Sequence, residues 1–276
     1  MQRAISTHVV VQQRLSVAWL QKVQDSGIPA VEIFCARQHL DYRDKSQLRE
    51  LALWFRDSPL KLHSIHAPMY NDEYSGRSGP ASVLTITENV KAERIRMCDE
   101  IKRAIEVVEQ IPCKYVVQHI GVLHEEFTER KLENAFTCLE ELSLFTRQRG
   151  AEILLENIPN DLSTGDKLNY FNSVTHLNLG YVFDTGHAHI GPGIEHEFDA
   201  MKERIRSLHV HDNNGTDDKH LFPTLSKDGT VKWPRTMELL RSRPNQYPLL
   251  LELKEQPEFP NPIEAALQIF DRLEQA

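Results

Sequence analysis

The chain has 276 residues, 40% of them hydrophobic and 26% charged, an ordinary balance for a globular protein large enough to bury a sizeable core. A net charge of −8 offers no global basic surface to a nucleic-acid backbone, and no stretch approaches the ~20 apolar residues of a membrane span. The opening M-Q-R-A-I-S-T-H lacks an apolar signal region, and Cys35, Cys98, Cys113 and Cys138 form no C-x-x-C pair, so a soluble cytoplasmic protein with small, buried, separate thiols is expected.

Strand-like runs and helix-length segments alternate from end to end. The first run, 3–8, leads to a helix over 15–23 that stops at Ser26-Gly27. Residues 30–34 read as the second strand and 46–55 as the second helix. The third strand, 61–66, ends H-S-I-H at His66. Residues 68–86 then lack a helical period and carry Pro68, Gly76, Gly79 and Pro80, which reads either as an ordinary flexible loop or as a lid that closes over the site. A long helix is expected over 88–111, before Pro112. The fourth strand, 114–119, ends Y-V-V-Q-H at His119, and the helix after it, 127–149, stops at Gly150. Strand 152–156 ends I-L-L-E at Glu156 and is followed by a helix over 167–176. Strand 179–183 runs into Asp184, with a helix over 197–204 behind it. Strand 206–210 carries S-L-H at His209, then comes a helix over 234–241. The last strand, 248–252, ends L-L-L-E at Glu252, and a helix over 262–275 closes the chain. Eight strand–helix pairs of one composition, without a glycine-rich phosphate turn after an early strand, predict a closed (β/α)8 TIM barrel. One domain over residues 1–276 is expected.

In such a barrel the functional side chains come from the C-terminal ends of the strands and the loops behind them. The strand-end groups are His66, His119, Glu156, Asp184, His209 and Glu252; His187, Asp218 and His220 follow in loops. Carboxylates ending three different apolar strands repel one another unless a cation or protons offset them. Glu156, Asp184, His209 and Glu252 are therefore predicted to hold a divalent metal. Mixed imidazole and carboxylate ligands suit Zn or Mn and admit Mg. His66, His119, His187, Asp218 and His220 are predicted as additional metal ligands or substrate-binding groups. One ion is expected, which leaves the site net negative and fit for an uncharged sugar; up to three would make it neutral or positive and fit for a phosphate. His8 and His63 read as ordinary strand histidines.

The segments H-S-I-H-A-P, L-L-E-N-I-P, F-D-T-G-H, H-V-H-D-N-N-G-T-D-D-K-H and L-L-L-E-L resemble the xylose-isomerase-like TIM-barrel superfamily, in order and spacing, from residue 30 to residue 255. That superfamily joins sugar and sugar-phosphate isomerases and epimerases with endonuclease IV. By this resemblance Glu156, Asp184, His209 and Glu252 match the single-metal set of the sugar epimerases, where the two glutamates also move protons. His187 matches a histidine that holds substrate oxygens there. Epimerases of free ketohexoses place an arginine shortly after the strand-seven histidine, where this chain has Gly215. All nine residues also fall where endonuclease IV takes the ligands of its three-zinc site. The neighbouring H-A-H-I-G-P-G-I-E-H and L-S-K-D-G-T-V-K-W look instead like the sugar isomerase/epimerase branch. The resemblance thus implies a metal-dependent isomerase or epimerase of a sugar or sugar phosphate in carbohydrate metabolism. Glu156 and Glu252 would be its acid and base through an enediolate. The implied partner is a small molecule, not nucleic acid or membrane, and the relatives are often homo-oligomers. Its alternative is a zinc phosphodiesterase acting at abasic DNA.

Overall fold

The computed structural model describes residues 1–71 and 82–276. Its strands are β1 (Arg3–Ser6), β2 (Ala30–Phe34), β3 (Lys61–His66), β4 (Tyr115–Gln118), β5 (Glu152–Glu156), β6 (Gly180–Asp184), β7 (Ile205–His209) and β8 (Leu249–Leu251). They pair in parallel in the order β7-β6-β5-β4-β3-β2-β1-β8. The two edges meet through a parallel bridge between Val210 and Leu251, where Val210 N–H donates to the Leu250 carbonyl at 2.9 Å and Glu252 N–H to the Val210 carbonyl at 3.2 Å. This closes the predicted (β/α)8 barrel and sets Glu252 beside His209.

The outer helices are α1 (Val17–Asp25), α2 (Lys45–Asp57), α3 (Lys91–Ile105), α4 (Val107–Gln110), α5 (Glu129–Arg147), α6 (Gly165–Val174), α7 (Thr185–Ile190), α8 (Ile194–Met201), α9 (Trp233–Arg241) and α10 (Pro262–Gln275). Their starts follow side-chain capping: Ser16, Asp44, Thr128, Thr164 and Asn261 each accept a backbone N–H of the first turn. Gly27 and Gly150, the two expected stops, lie at φ 82° and 80°, where a side chain would be strained. The helix expected over 88–111 divides at Glu106 into α3 and α4, and α7 is a short helix absent from the sequence-based expectation.

The expectation of four separate thiols is corrected. Cys98 of α3 and Cys138 of α5 form a disulfide, with Cα atoms 6.4 Å apart, while Cys35 and Cys113 are free and buried. The pairing joins helices that pack side by side outside β3, β4 and β5, a neighbourhood that a 40-residue separation conceals. Of the segment read as a loop or a lid, residues 72–81 lie outside the described residues. The described flanks are tied together: Asn71 N–H donates to the Ser82 carbonyl at 2.8 Å and Leu84 N–H to the Met69 carbonyl at 2.9 Å. Among the described residues no helix is long and apolar enough to cross a membrane.

Strand periodicity explains how an apolar barrel carries a polar mouth. Side chains two residues apart share a face. Small inner clusters, Tyr115 with Val117, Leu154 and Val182, and Ala4 with Ala30 and Leu250, form an apolar layer within the barrel. Two residues further along their strands stand His119, Glu156, Asp184, Glu32 and Glu252. Ser64 and Ser207 precede His66 and His209 in the same way. The outward-facing residues alternate with these and pack beneath the helices in the main hydrophobic core.

Candidate metal centre

All nine side chains singled out from the sequence meet at the C-terminal mouth of the barrel. Asp184 and His209 are fully buried, and Glu156, Glu252 and His66 nearly so. Glu156 is the hub. Its Oε2 lies 3.1 Å from His119 Nε2, 3.1 Å from His209 Nδ1 and 3.5 Å from His66 Nε2, and its Oε1 lies 3.2 Å from His187 Nδ1. His209 Nδ1 also faces Glu252 Oε2 at 3.4 Å and Asp184 Oδ2 at 3.9 Å. Asp218 Oδ2 sits 3.4 Å from His187 Nε2 and 3.2 Å from His220 Nε2.

These contacts resolve into overlapping sets whose ligand atoms lie within 4.8 Å of one another: Glu156, Asp184, His209 and Glu252; His66, His119 and Glu156; His187, His211, Asp218 and His220; and His8, His220 and Glu252. The first is the four-residue set expected to hold the metal. Three members of the site escaped the sequence reading. His211, two residues beyond His209, points Nε2 at Asp184 Oδ1 from 3.0 Å and stacks on His220 with ring centres 3.9 Å apart. His8, read as an ordinary strand histidine, packs against His220 and completes the last set. Glu32, in the middle of β2, lies 3.1 Å from His209 Nε2. The parity of His211 and Glu32 with His209 and Ala30 was the available signal.

The backbone around the site is locked by its own sequence. Asp184 caps α7 by accepting His187 N–H at 2.6 Å, so D-T-G-H holds both groups in one turn. Asn157, next to Glu156, donates to the Asp184 carbonyl at 3.0 Å and accepts its N–H at 2.7 Å, tying the tips of β5 and β6. Asp212 accepts from Thr230 N, Val231 N and Trp233 Nε1, which fixes the loop bearing Asp218 and His220. His220 has φ 46°, a left-handed conformation that costs a non-glycine residue about 1–3 kcal/mol. Gly186 leaves room for the His211 ring, which a methyl group there would overlap. Gly186→Ala is therefore expected to displace His211 from Asp184 and to destabilise the protein by about 1–3 kcal/mol, as overpacking does. An unchanged thermal midpoint would refute that packing.

Hydrogen bonds also set which imidazole nitrogen faces inward. Nδ1 of His66, His187 and His220 lies 2.8, 2.9 and 3.1 Å from the carbonyls of Ala67, Asn157 and Glu252. A carbonyl only accepts, so each Nδ1 carries the hydrogen, and Nε2 of the neutral ring presents a lone pair to the site.

Electrostatics confirm a crowded basin. Burial opposes charge on His209, but Glu156, Glu252 and Glu32 outweigh it and hold the imidazole well above its usual range. Burial is likewise outweighed on His187, by Asp184 and Asp218, and on His220, which Asp218 lifts to about 9. Burial would raise Glu156, yet His209 and His119 keep it well below the usual carboxylate range. Glu252 goes the other way: burial lifts it, and His209 and His220 only partly offset the rise. In this state protons on imidazoles balance the carboxylates. Among the described residues, buried Glu156 Oε1, His209 Nδ1, Asp218 Oδ1 and Glu252 Oε1 still lack partners of hydrogen-bond geometry. Orphaned hard oxygens beside imidazole nitrogens fit a divalent cation, whose charge would replace those protons.

Above this floor is a cavity of about 60 Å³, walled by Phe34, Met69, Val122, Leu123 and Ile158. It adjoins a second of about 190 Å³ between the segments after β3 and β4. No lysine or arginine lines either among the described residues. A wider groove of about 830 Å³ by Trp19 and Phe259 holds none of the nine residues.

Comparison with known proteins bears on this arrangement. The family model described as xylose isomerase-like TIM barrel matches residues 20–275. An uncharacterized protein of Methanocaldococcus jannaschii is 30% identical over 254 residues, which cover 87% of this chain and 80% of that protein. The crystal structure of a D-tagatose 3-epimerase-like protein is similar, with a TM-score of 0.76 and 24% identity over 100% of this chain and 96% of its own. An IOLI protein with a bound zinc atom is similar at TM-score 0.71 and 19% identity, over 99% and 98% of the two chains.

Proposed function

The chain belongs to the xylose isomerase-like TIM barrel family, and from that premise we propose that it is a divalent-metal-dependent isomerase or epimerase of an uncharged, sugar-like polyol. The observation that carries this reading is the placing of Glu156 and Glu252 at 3.1 and 3.4 Å from the same nitrogen, His209 Nδ1. Glu156, Asp184, His209 and Glu252 would hold the ion, which when bound polarises a carbonyl and its neighbouring hydroxyl.

Glu156 accepts the proton from the carbon next to the carbonyl. Glu252 returns a proton to the resulting enediolate. Return to the same carbon from the opposite face gives an epimer; return to the neighbouring carbon, with the hydroxyl proton passing to the former carbonyl oxygen, gives the aldose–ketose isomer. His187 and His66 orient hydroxyl groups. Phe34, Met69, Val122, Leu123 and Ile158 present an apolar wall to the C–H face of the substrate and keep water from the enediolate. The lack of lysine and arginine among the described lining residues favours a neutral sugar over a sugar phosphate.

A second reading, zinc-dependent cleavage at abasic DNA, draws on the convergence of all nine residues into several ligand sets. One experiment separates the two. Protein loaded with zinc or manganese is incubated in D2O with a panel of ketoses and cyclic keto-polyols, and separately with an abasic-site duplex. Deuterium entering the carbon beside a carbonyl is the expected result. Cleavage of the duplex without any exchange would overturn it in favour of the nuclease.

A further inference from the structure

Glu32 is a charged residue in an otherwise apolar strand, A-V-E-I-F, and it is fully buried. Its Oε2 accepts from Ser64 Oγ at 2.7 Å, and its two oxygens lie 3.1 and 3.2 Å from His209 Nε2. The same ring turns Nδ1 toward Glu156, Glu252 and Asp184. An ionised carboxylate only accepts hydrogen bonds, so Nε2 must carry the hydrogen, and Nδ1 of the neutral ring is left with its lone pair toward the three carboxylates. His66 and His220 are backed by neutral backbone carbonyls and turn Nε2 inward, and His187, also backed by a carbonyl at Nδ1, turns Nε2 toward Asp218. His209 is turned round relative to them and backed by a charge.

We propose that Glu32 is a positioning residue of the metal centre: it fixes the tautomer and ring orientation of His209 and strengthens Nδ1 as a ligand. The inference rests on the reading of Glu156, Asp184, His209 and Glu252 as metal ligands. A buried carboxylate whose hydrogen-bond partners among the described residues are one hydroxyl and one imidazole is weak as a stabilising device, because its desolvation offsets most of what the pair gains. As an outer partner of a ligating histidine it has a defined use, since such partners raise ligand basicity and their loss typically weakens metal binding by about 10- to 100-fold.

Glu32→Gln tests this, because the carboxamide keeps the shape, removes the charge, and can donate to Nε2 and so reverse the tautomer. Zinc affinity is measured by chelator competition on the wild type and the variant, beside the thermal midpoint of each metal-free protein. The expected result is zinc binding weakened by about 10- to 100-fold in a variant that still unfolds cooperatively. A folded variant that binds zinc as tightly as the wild type overturns the inference and leaves the metal site standing. A wild type that takes up no zinc removes the metal reading and this inference with it. Should the variant fail to fold, nitrogen NMR of the zinc-loaded wild type decides: hydrogen on Nε2 of His209 is expected, and hydrogen on Nδ1 contradicts the proposal.

Discussion

Glu156→Gln is expected to lower turnover by about 10²- to 10⁴-fold, the usual contribution of a positioned acid or base. The change is close to isosteric, so the barrel should remain folded. What it removes is a carboxylate that faces four imidazoles, those of His66, His119, His187 and His209. Glu156 also belongs to two of the ligand sets, so the variant should hold metal less tightly in both. The check is twofold: initial rates on whichever polyol shows deuterium exchange, and metal retained per chain after gel filtration. Near-wild-type turnover in Glu156→Gln would mean that the glutamate pair does not move the proton.

The second large effect concerns stability. In metal-free protein, His209→Ala is expected to cost about 3–5 kcal/mol, the penalty for removing one partner from a buried charge network. It leaves Glu32 facing a vacated space with Ser64 as its remaining hydrogen-bond partner among the described residues, and takes one imidazole from each of Glu156 and Glu252. The effect has a pH signature. His209 is raised well above its ordinary value of 6.5 in the folded state. Its stabilising contribution is therefore complete below pH 6.5 and is lost as pH climbs through the raised value. Urea unfolding of wild type and variant should differ most in mildly acidic buffer and converge in alkaline buffer. Equal midpoints in acidic buffer would show that His209 does not balance these carboxylates.

Much of this site is legible in the chain because a barrel strand buries both faces and then stops. In Y-V-V-Q-H, I-L-L-E, Y-V-F-D and L-L-L-E the last ionisable group can only enter the mouth, and the structure brings His119, Glu156, Asp184 and Glu252 together there. Glu32 escaped because it interrupts its strand rather than ending it. The step of two residues from Ala30 was the clue, and it became readable only once the contact with His209 across the barrel was seen. His211 escaped because it lies past the end of β7, where the alternation of faces no longer has a sheet to anchor it. The Cys98–Cys138 pair lay beyond any local pattern, since neither its spacing nor its surroundings show that α3 and α5 are neighbours. The division of the long helix at Glu106 had no proline or glycine to announce it.

The account turns on whether the cradle of Glu156, Asp184, His209 and Glu252 binds a divalent ion. The direct measurement is the metal content per chain of protein stripped by chelator, reloaded with zinc or manganese and desalted. At least one tightly held ion per chain is predicted for the wild type, and loss of that ion for Asp184→Asn. A folded wild type that retains none, or an Asp184→Asn variant that retains the full complement, would contradict it.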